Sequence, residues 1–146
     1  MKKHLKKIIS MTLFICMLTV TLSSATFYGS EVTPRYNNVY NATVTTSVNS
    51  NGNLNINYNY TGISGTTTKA IITTYIEKQF LFIFWTRVDI GTANNEWVQT
   101  INSYRYAGTR TFSLPSTGTY RTTVTYEIYG SGGSADIITC QNEVTY

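Results

Sequence analysis

The chain carries a single histidine, two cysteines and two prolines in 146 residues, and each scarcity removes a class of function. His4 lies in the N-terminal segment, so the remainder has no imidazole for a Ser-His-Asp or Cys-His arrangement or for a zinc site. Cys16 lies in that segment too, which leaves Cys140 without an intramolecular disulfide partner. Ile137, Ile138 and Thr139 place Cys140 on a strand, where a free cysteine behaves as a small buried hydrophobe; the alternative is a thiol that links two copies. No stretch sustains an apolar period of 3.6, which argues against a helical domain. A membrane-spanning helix wants about 20 mostly apolar residues. The run at residues 8–22 is shorter and is broken by Ser10, Thr12, Thr19 and Thr21.

What is present at the N-terminus is an order of three parts. Lys2, Lys3, Lys6 and Lys7 precede the apolar run, and Ser23-Ser24-Ala25 follows it. Basic, apolar, then small is the pattern of a secretory signal helix, here residues 1–25 with cleavage after Ala25. The expected localisation is secreted or extracellular, with cell-surface association open. Those four lysines also account for the formal charge of +4. Beyond residue 25, seven basic and seven acidic side chains balance, which gives nucleic acid no electrostatic footing.

Residues 26–38, with Pro34 and Asn37-Asn38, read as an irregular leader, and residues 39–146 as one domain with a core of its own. Ala42, Val44, Thr46 and Val48 fall on one face of a strand, and Leu54, Ile56, Tyr58 and Tyr60 on one face of the next. Asn51-Gly52 between them predicts a hairpin, because both residues accept positive φ. Asn53, Asn55, Asn57 and Asn59 alternate outward, so this sheet has one dry and one wet face. Gly62-Ile63-Ser64-Gly65 turns the chain into a third strand. Tyr120, Thr122, Val124, Tyr126 and Ile128 share a face near the end, and Gly130-Ser131-Gly132-Gly133-Ser134 reads as a hairpin loop. About seven strands with turns every 8 to 12 residues predict an all-β antiparallel sandwich.

The candidate chemistry is sparse. Glu77, Glu96 and Glu127 are the carboxylates that a glycosidase pair would draw on, yet Glu77 and Glu127 sit on the solvent side of alternating strands. No catalytic, cofactor-binding or metal residue is assigned, and no cofactor is expected. Leu114-Pro115-Ser116-Thr117-Gly118 matches a wall-sorting pattern, but 28 strand-like residues follow it where an apolar tail and basic end belong. The run Phe80-Leu81-Phe82-Ile83-Phe84-Trp85 has two readings. One is a strand covered on both faces. The other is an exposed tip offering Phe80, Phe82, Phe84 and Trp85 to a bilayer or a partner's pocket. The Asn row and the 12 tyrosines form a third candidate, a sugar-binding surface, against the plainer reading of a solvated sheet face.

Two further segments carry a resemblance. Gly118-Thr119-Tyr120 at a strand entry resembles the tyrosine corner of immunoglobulin and fibronectin type III sandwiches, which implies an immunoglobulin-like fold. Thr122 stands where an antibody domain has its second disulfide cysteine. Together with the signal, Pro34-Arg35-Tyr36-Asn37-Asn38-Val39, the Gly62-x-x-Gly65-Thr66 turn, Trp85 and Gly118-Thr119-Tyr120-Arg121, the chain resembles small exported proteins of Gram-positive bacteria. The function of that group is uncharacterised, so the resemblance implies a fold and not a site; the expected function, from the missing chemistry, is an extracellular, non-catalytic binding module with a glycan, protein or membrane partner. The alternative expectation is a membrane-active antibacterial or toxin-like protein acting through residues 80–85.

Overall fold

The structure is a computed structural model, described for residues 36–146. The signal helix and cleavage site, and the leader up to residue 35, lie outside the described residues. Eight strands form two antiparallel sheets, the layers of a β-sandwich. One sheet has three strands in the order β1 (Val39–Val48), β2 (Asn53–Gly62), β6 (Arg105–Ser113). The other is built on β3 (Thr67–Phe80), with β7 (Thr119–Gly130) and then β8 (Asp136–Thr145) along one side. The opposite edge of β3 is shared: β4 (Phe84–Arg87) pairs with its end and β5 (Trp97–Ile101) with its middle.

Alternation decides what is buried. Leu54, Ile56, Tyr58 and Tyr60 of β2 meet Tyr120, Val124, Tyr126 and Ile128 of β7 and Ala70, Ile72 and Ile76 of β3 in one core. Each fully buried aliphatic side chain contributes ~1.5–3 kcal/mol. The phenols reach backbone acceptors at the core's margin: Tyr60 to the Ser103 carbonyl (2.8 Å), Tyr126 to that of Thr43 (2.7 Å). Burial raises the Tyr58 and Tyr126 phenol pKa values and pushes Tyr60 up to about 12. Along one side the sheets are tied by side chains: Asn142 Nδ2 donates to the Val44 carbonyl (2.6 Å) and Cys140 Sγ to that of Ala42 (3.6 Å).

Three sequence expectations change. The run 80–85, a single covered strand in one of its two readings, folds back on itself between β3 and β4, so there are eight strands rather than about seven. The leader is not irregular to its end. Asn38 is fully buried; its backbone N–H donates to Asp136 Oδ2 (2.6 Å), and its side chain bridges the Ser134 carbonyl (2.9 Å) and the Gly132 N–H (3.1 Å). The glycine-rich 130–134 loop is correspondingly a cradle as well as a hairpin connection. A Cβ on Gly132 would collide with the Asn37 carbonyl oxygen.

Candidate interaction site

The 80–85 run forms the β3–β4 hairpin end. Phe80 and Phe84 are cross-strand partners, and Leu81, Phe82 and Ile83 make the loop between them. Leu81 (φ 49°) and Phe82 (φ 62°) both occupy the left-handed region. Ile83 N–H donates to the Phe80 carbonyl (3.3 Å), the bond that closes a β-turn. Two such residues in succession match a type I′ turn, which Asn-Gly ordinarily supplies. For side chains of this size the conformation costs roughly 1–2 kcal/mol per residue. Gln79 Nε2 braces the loop by donating to the Phe82 carbonyl (3.1 Å).

All five residues from Phe80 to Phe84 are exposed, Phe82 to 90%. The covered-strand reading of this run is therefore incorrect: the hairpin projects past the sandwich, and no second sheet among the described residues lies over it. The sequence reading of an exposed tip named Phe80, Phe82, Phe84 and Trp85. Leu81 and Ile83, 64% and 70% exposed, belong to the same apolar tip.

Trp85 is set apart from the phenylalanines. Its register partner is Gln79, so it takes the opposite hairpin face from Phe80 and Phe84. There the Arg121 guanidinium lies over its ring at 4.3 Å. Arg121 also pairs with Glu77 (2.7 Å), whose strand neighbour Arg87 pairs with Glu96 (2.9 Å) and stacks on Tyr75 at 3.4 Å. Sequence reasoning missed this collar, although its signal was present. Glu77/Arg87, Lys78/Thr86, Gln79/Trp85 and Phe80/Phe84 are complementary pairs centred on Phe82.

The other candidates disperse. Glu77 and Glu127 stand six ladder positions apart on the sheet of β3 and β7, roughly 20 Å at strand spacing. Glycosidase carboxylates lie within roughly 10 Å of each other. Glu127 instead accepts from the Tyr129 hydroxyl (2.8 Å). Gly118 and Tyr146 exchange backbone hydrogen bonds and Leu114 is buried, so the 114–118 segment is held in folded structure. Tyr120, fully buried, donates its hydroxyl to the Ser116 carbonyl (2.6 Å) four residues upstream. Asn57 and Asn59 of the outward row line a shallow trough of about 470 Å³ with Thr43, Thr45 and Thr109. Asn57 accepts from Thr109 (2.8 Å) and donates to Thr45 (3.4 Å), and Asn55, further along the row, accepts from Thr111 (2.8 Å). Rows Thr43–Asn59–Ala107 and Thr45–Asn57–Thr109 carry no aromatic ring on which a sugar face would stack.

Cys140 is half-buried, and burial raises its thiol pKa. Among the described residues no group of three His, Cys, Asp or Glu side chains is placed to hold a metal, and no helix is long and apolar enough to cross a membrane. Compared with protein-family models and with curated proteins, the chain matches none.

Proposed function

We propose that this chain is an exported, non-catalytic binding module with an immunoglobulin-like sandwich, and that it attaches to the interface of a lipid bilayer through the 80–85 hairpin. The observation that carries this reading is the tip: Leu81, Phe82 and Ile83 are held in solvent on a turn that the side chains of Leu81 and Phe82 disfavour. Strain kept at an exposed apolar loop points to a role for those side chains outside the fold. The order down the hairpin also suits an interface: apolar residues first, then Trp85, then Lys78, Arg87 and Arg121. Tryptophan and basic residues favour the headgroup layer, and apolar side chains the acyl boundary. The Tyr120–Ser116 contact supports the immunoglobulin-like assignment. Partial burial of three large side chains suffices for reversible attachment, not for spanning.

Co-sedimentation of the exported form with phospholipid vesicles tests the reading, beside the double variant Phe82→Ser/Phe84→Ser. Both positions are exposed, so the variant keeps its fold and its far-UV spectrum. The wild type is expected to pellet with vesicles and the variant to stay in solution. Equal behaviour of the two sinks the proposal and turns the search toward protein or glycan partners.

A further inference from the structure

β6 ends the three-stranded sheet on one side, and its outer edge is open. Gly62 N–H donates to the Tyr104 carbonyl (2.6 Å) and Leu114 N–H to that of Gly52 (2.9 Å), at either end of the β2–β6 ladder. In an antiparallel ladder every second pair exchanges hydrogen bonds. The unbroken register therefore turns the even-numbered residues of β6 toward β2, and the N–H and C=O groups of Ala107, Thr109 and Thr111 away from it. Among the described residues, β6 pairs with β2 alone, and no hydrogen-bond partner meets those outward groups.

The other long edges are closed. β1 presents the Val44 and Ala42 carbonyls to Asn142 and Cys140 of β8, and the far side of β3 is divided between β4 and β5. β6 has no proline, no bulge and no lysine, the devices that usually guard an edge. Its inner rim is also incompletely covered. Tyr106 and Phe112 are half-buried, and Trp97 packs edge-on against Phe112 with ring centroids 5.6 Å apart.

We infer that β6 is a self-association edge: two copies of this chain pair their β6 strands antiparallel about a two-fold axis at Thr109, joining two three-stranded sheets into one. Thr109 is the middle of Arg105–Ser113, so this register pairs the strand over its whole length. A two-fold at Ala107 or Thr111 would leave one end of β6 without a partner. Thr109 then faces Thr109 of the second copy and Ala107 faces Thr111, so the outward donors and acceptors meet in phase. On the inner face Tyr106 meets Phe112, an aromatic cross-strand pair. Arg110, held over its own Trp97 ring at 4.8 Å, meets Gly108, which has no side chain to oppose it. Arg105 falls opposite Ser113, so no like charges are paired. A second copy thus carries the complement of this edge already. The contact also closes, because the far edge of each sheet, β1, is tied to β8. The axis runs the two sandwiches in opposite directions, so the 80–85 hairpins point apart and both stay free for other contacts.

Sedimentation equilibrium of the exported form under reducing conditions, which excludes a Cys140 disulfide, tests the edge. The wild type is expected to dimerise reversibly. Thr109→Lys and Thr109→Glu each set like charges face to face at the axis and are expected to weaken the dimer about fivefold. Thr109 is exposed and its hydroxyl only donates to Asn57 (2.8 Å), so both variants keep the fold. An equimolar mixture of the two is expected to regain the wild-type affinity as a Lys–Glu heterodimer. A wild type that stays monomeric up to about 1 mM overturns the inference. So does a dimer that both charge variants leave intact, or a mixture no tighter than either variant alone, since each places the contact away from Thr109.

Discussion

The backbone N–H of Asn38 donates to the Asp136 carboxylate at 2.6 Å, joining positions 98 residues apart. The other carboxylate oxygen accepts from the Asn37 N–H (3.1 Å), so one buried side chain satisfies two backbone donors. Replacement by an amide leaves one of those N–H groups facing an NH₂. Asp136→Asn is therefore expected to cost about 1–3 kcal/mol. Urea denaturation reads it as a lower midpoint at constant slope. Glu143→Gln, on the exposed part of the same strand, is the control and should fall within ~0.5 kcal/mol of wild type.

Tyr120 makes a second anchor. Its ring is in the core while its hydroxyl holds the Ser116 carbonyl at 2.6 Å. Tyr120→Phe keeps the packing and removes the donor, and a loss of about 1–2 kcal/mol is expected. Gly118→Ala adds a different penalty at the same bend. Its φ of 147° is one that L side chains rarely adopt, and a Cβ there would come within 2.8 Å of Lys78 Cε. The flexible lysine can yield; the backbone cannot. Thermal unfolding of the two variants should show both destabilised.

The strands that carry the core were legible in the sequence because one residue in two announces its side of the sheet. The inward sets of β2 and β7 are buried as their alternation requires, and the hairpin turns at Asn51-Gly52, where Gly52 alone takes a positive φ (75°). The tip was ambiguous because its turn contains neither glycine nor asparagine. Leu81 and Phe82 have no local preference for the conformation they adopt, so the break between β3 and β4 is imposed by the pairing of residues 77–80 with 84–87. The Asn38–Asp136 clasp was invisible for another reason. Nothing local in Asn37-Asn38 specifies a partner at the far end of the chain, and only the closed sandwich brings them together.

The buried phenols predict an alkaline limit to stability. Burial raises Tyr58 and Tyr126 and places Tyr60 at about 12, against an ordinary value of 10.0. A group whose folded pKa lies above its unfolded one supports the fold fully below the unfolded value. That support is lost as pH climbs through the folded value. Stability should be insensitive to these groups up to about pH 10 and fall steeply between there and pH 12. Ultraviolet titration is expected to show Tyr58, Tyr60 and Tyr126 ionising only together with loss of the near-UV circular dichroism signal. Smooth ionisation of every tyrosine in a folded protein would contradict the assignment.

The hairpin turn sets stability against attachment. Leu81 and Phe82 occupy left-handed backbone that Asn-Gly adopts without the side-chain penalty, so Leu81→Asn/Phe82→Gly should relieve strain while leaving the flanking register intact. Neither side chain packs in the core, and their exposures of 64% and 90% mean that little folded contact is lost. The double variant is expected to be more stable than wild type by about 1 kcal/mol, partly reduced by the entropy glycine adds to the unfolded chain. In the same protein, vesicle co-sedimentation should fall to the level of Phe82→Ser/Phe84→Ser. A stabilised fold with lost attachment identifies the two residues as kept for contact at the expense of the turn. A destabilised fold instead makes them packing residues, and the membrane reading then loses its central observation.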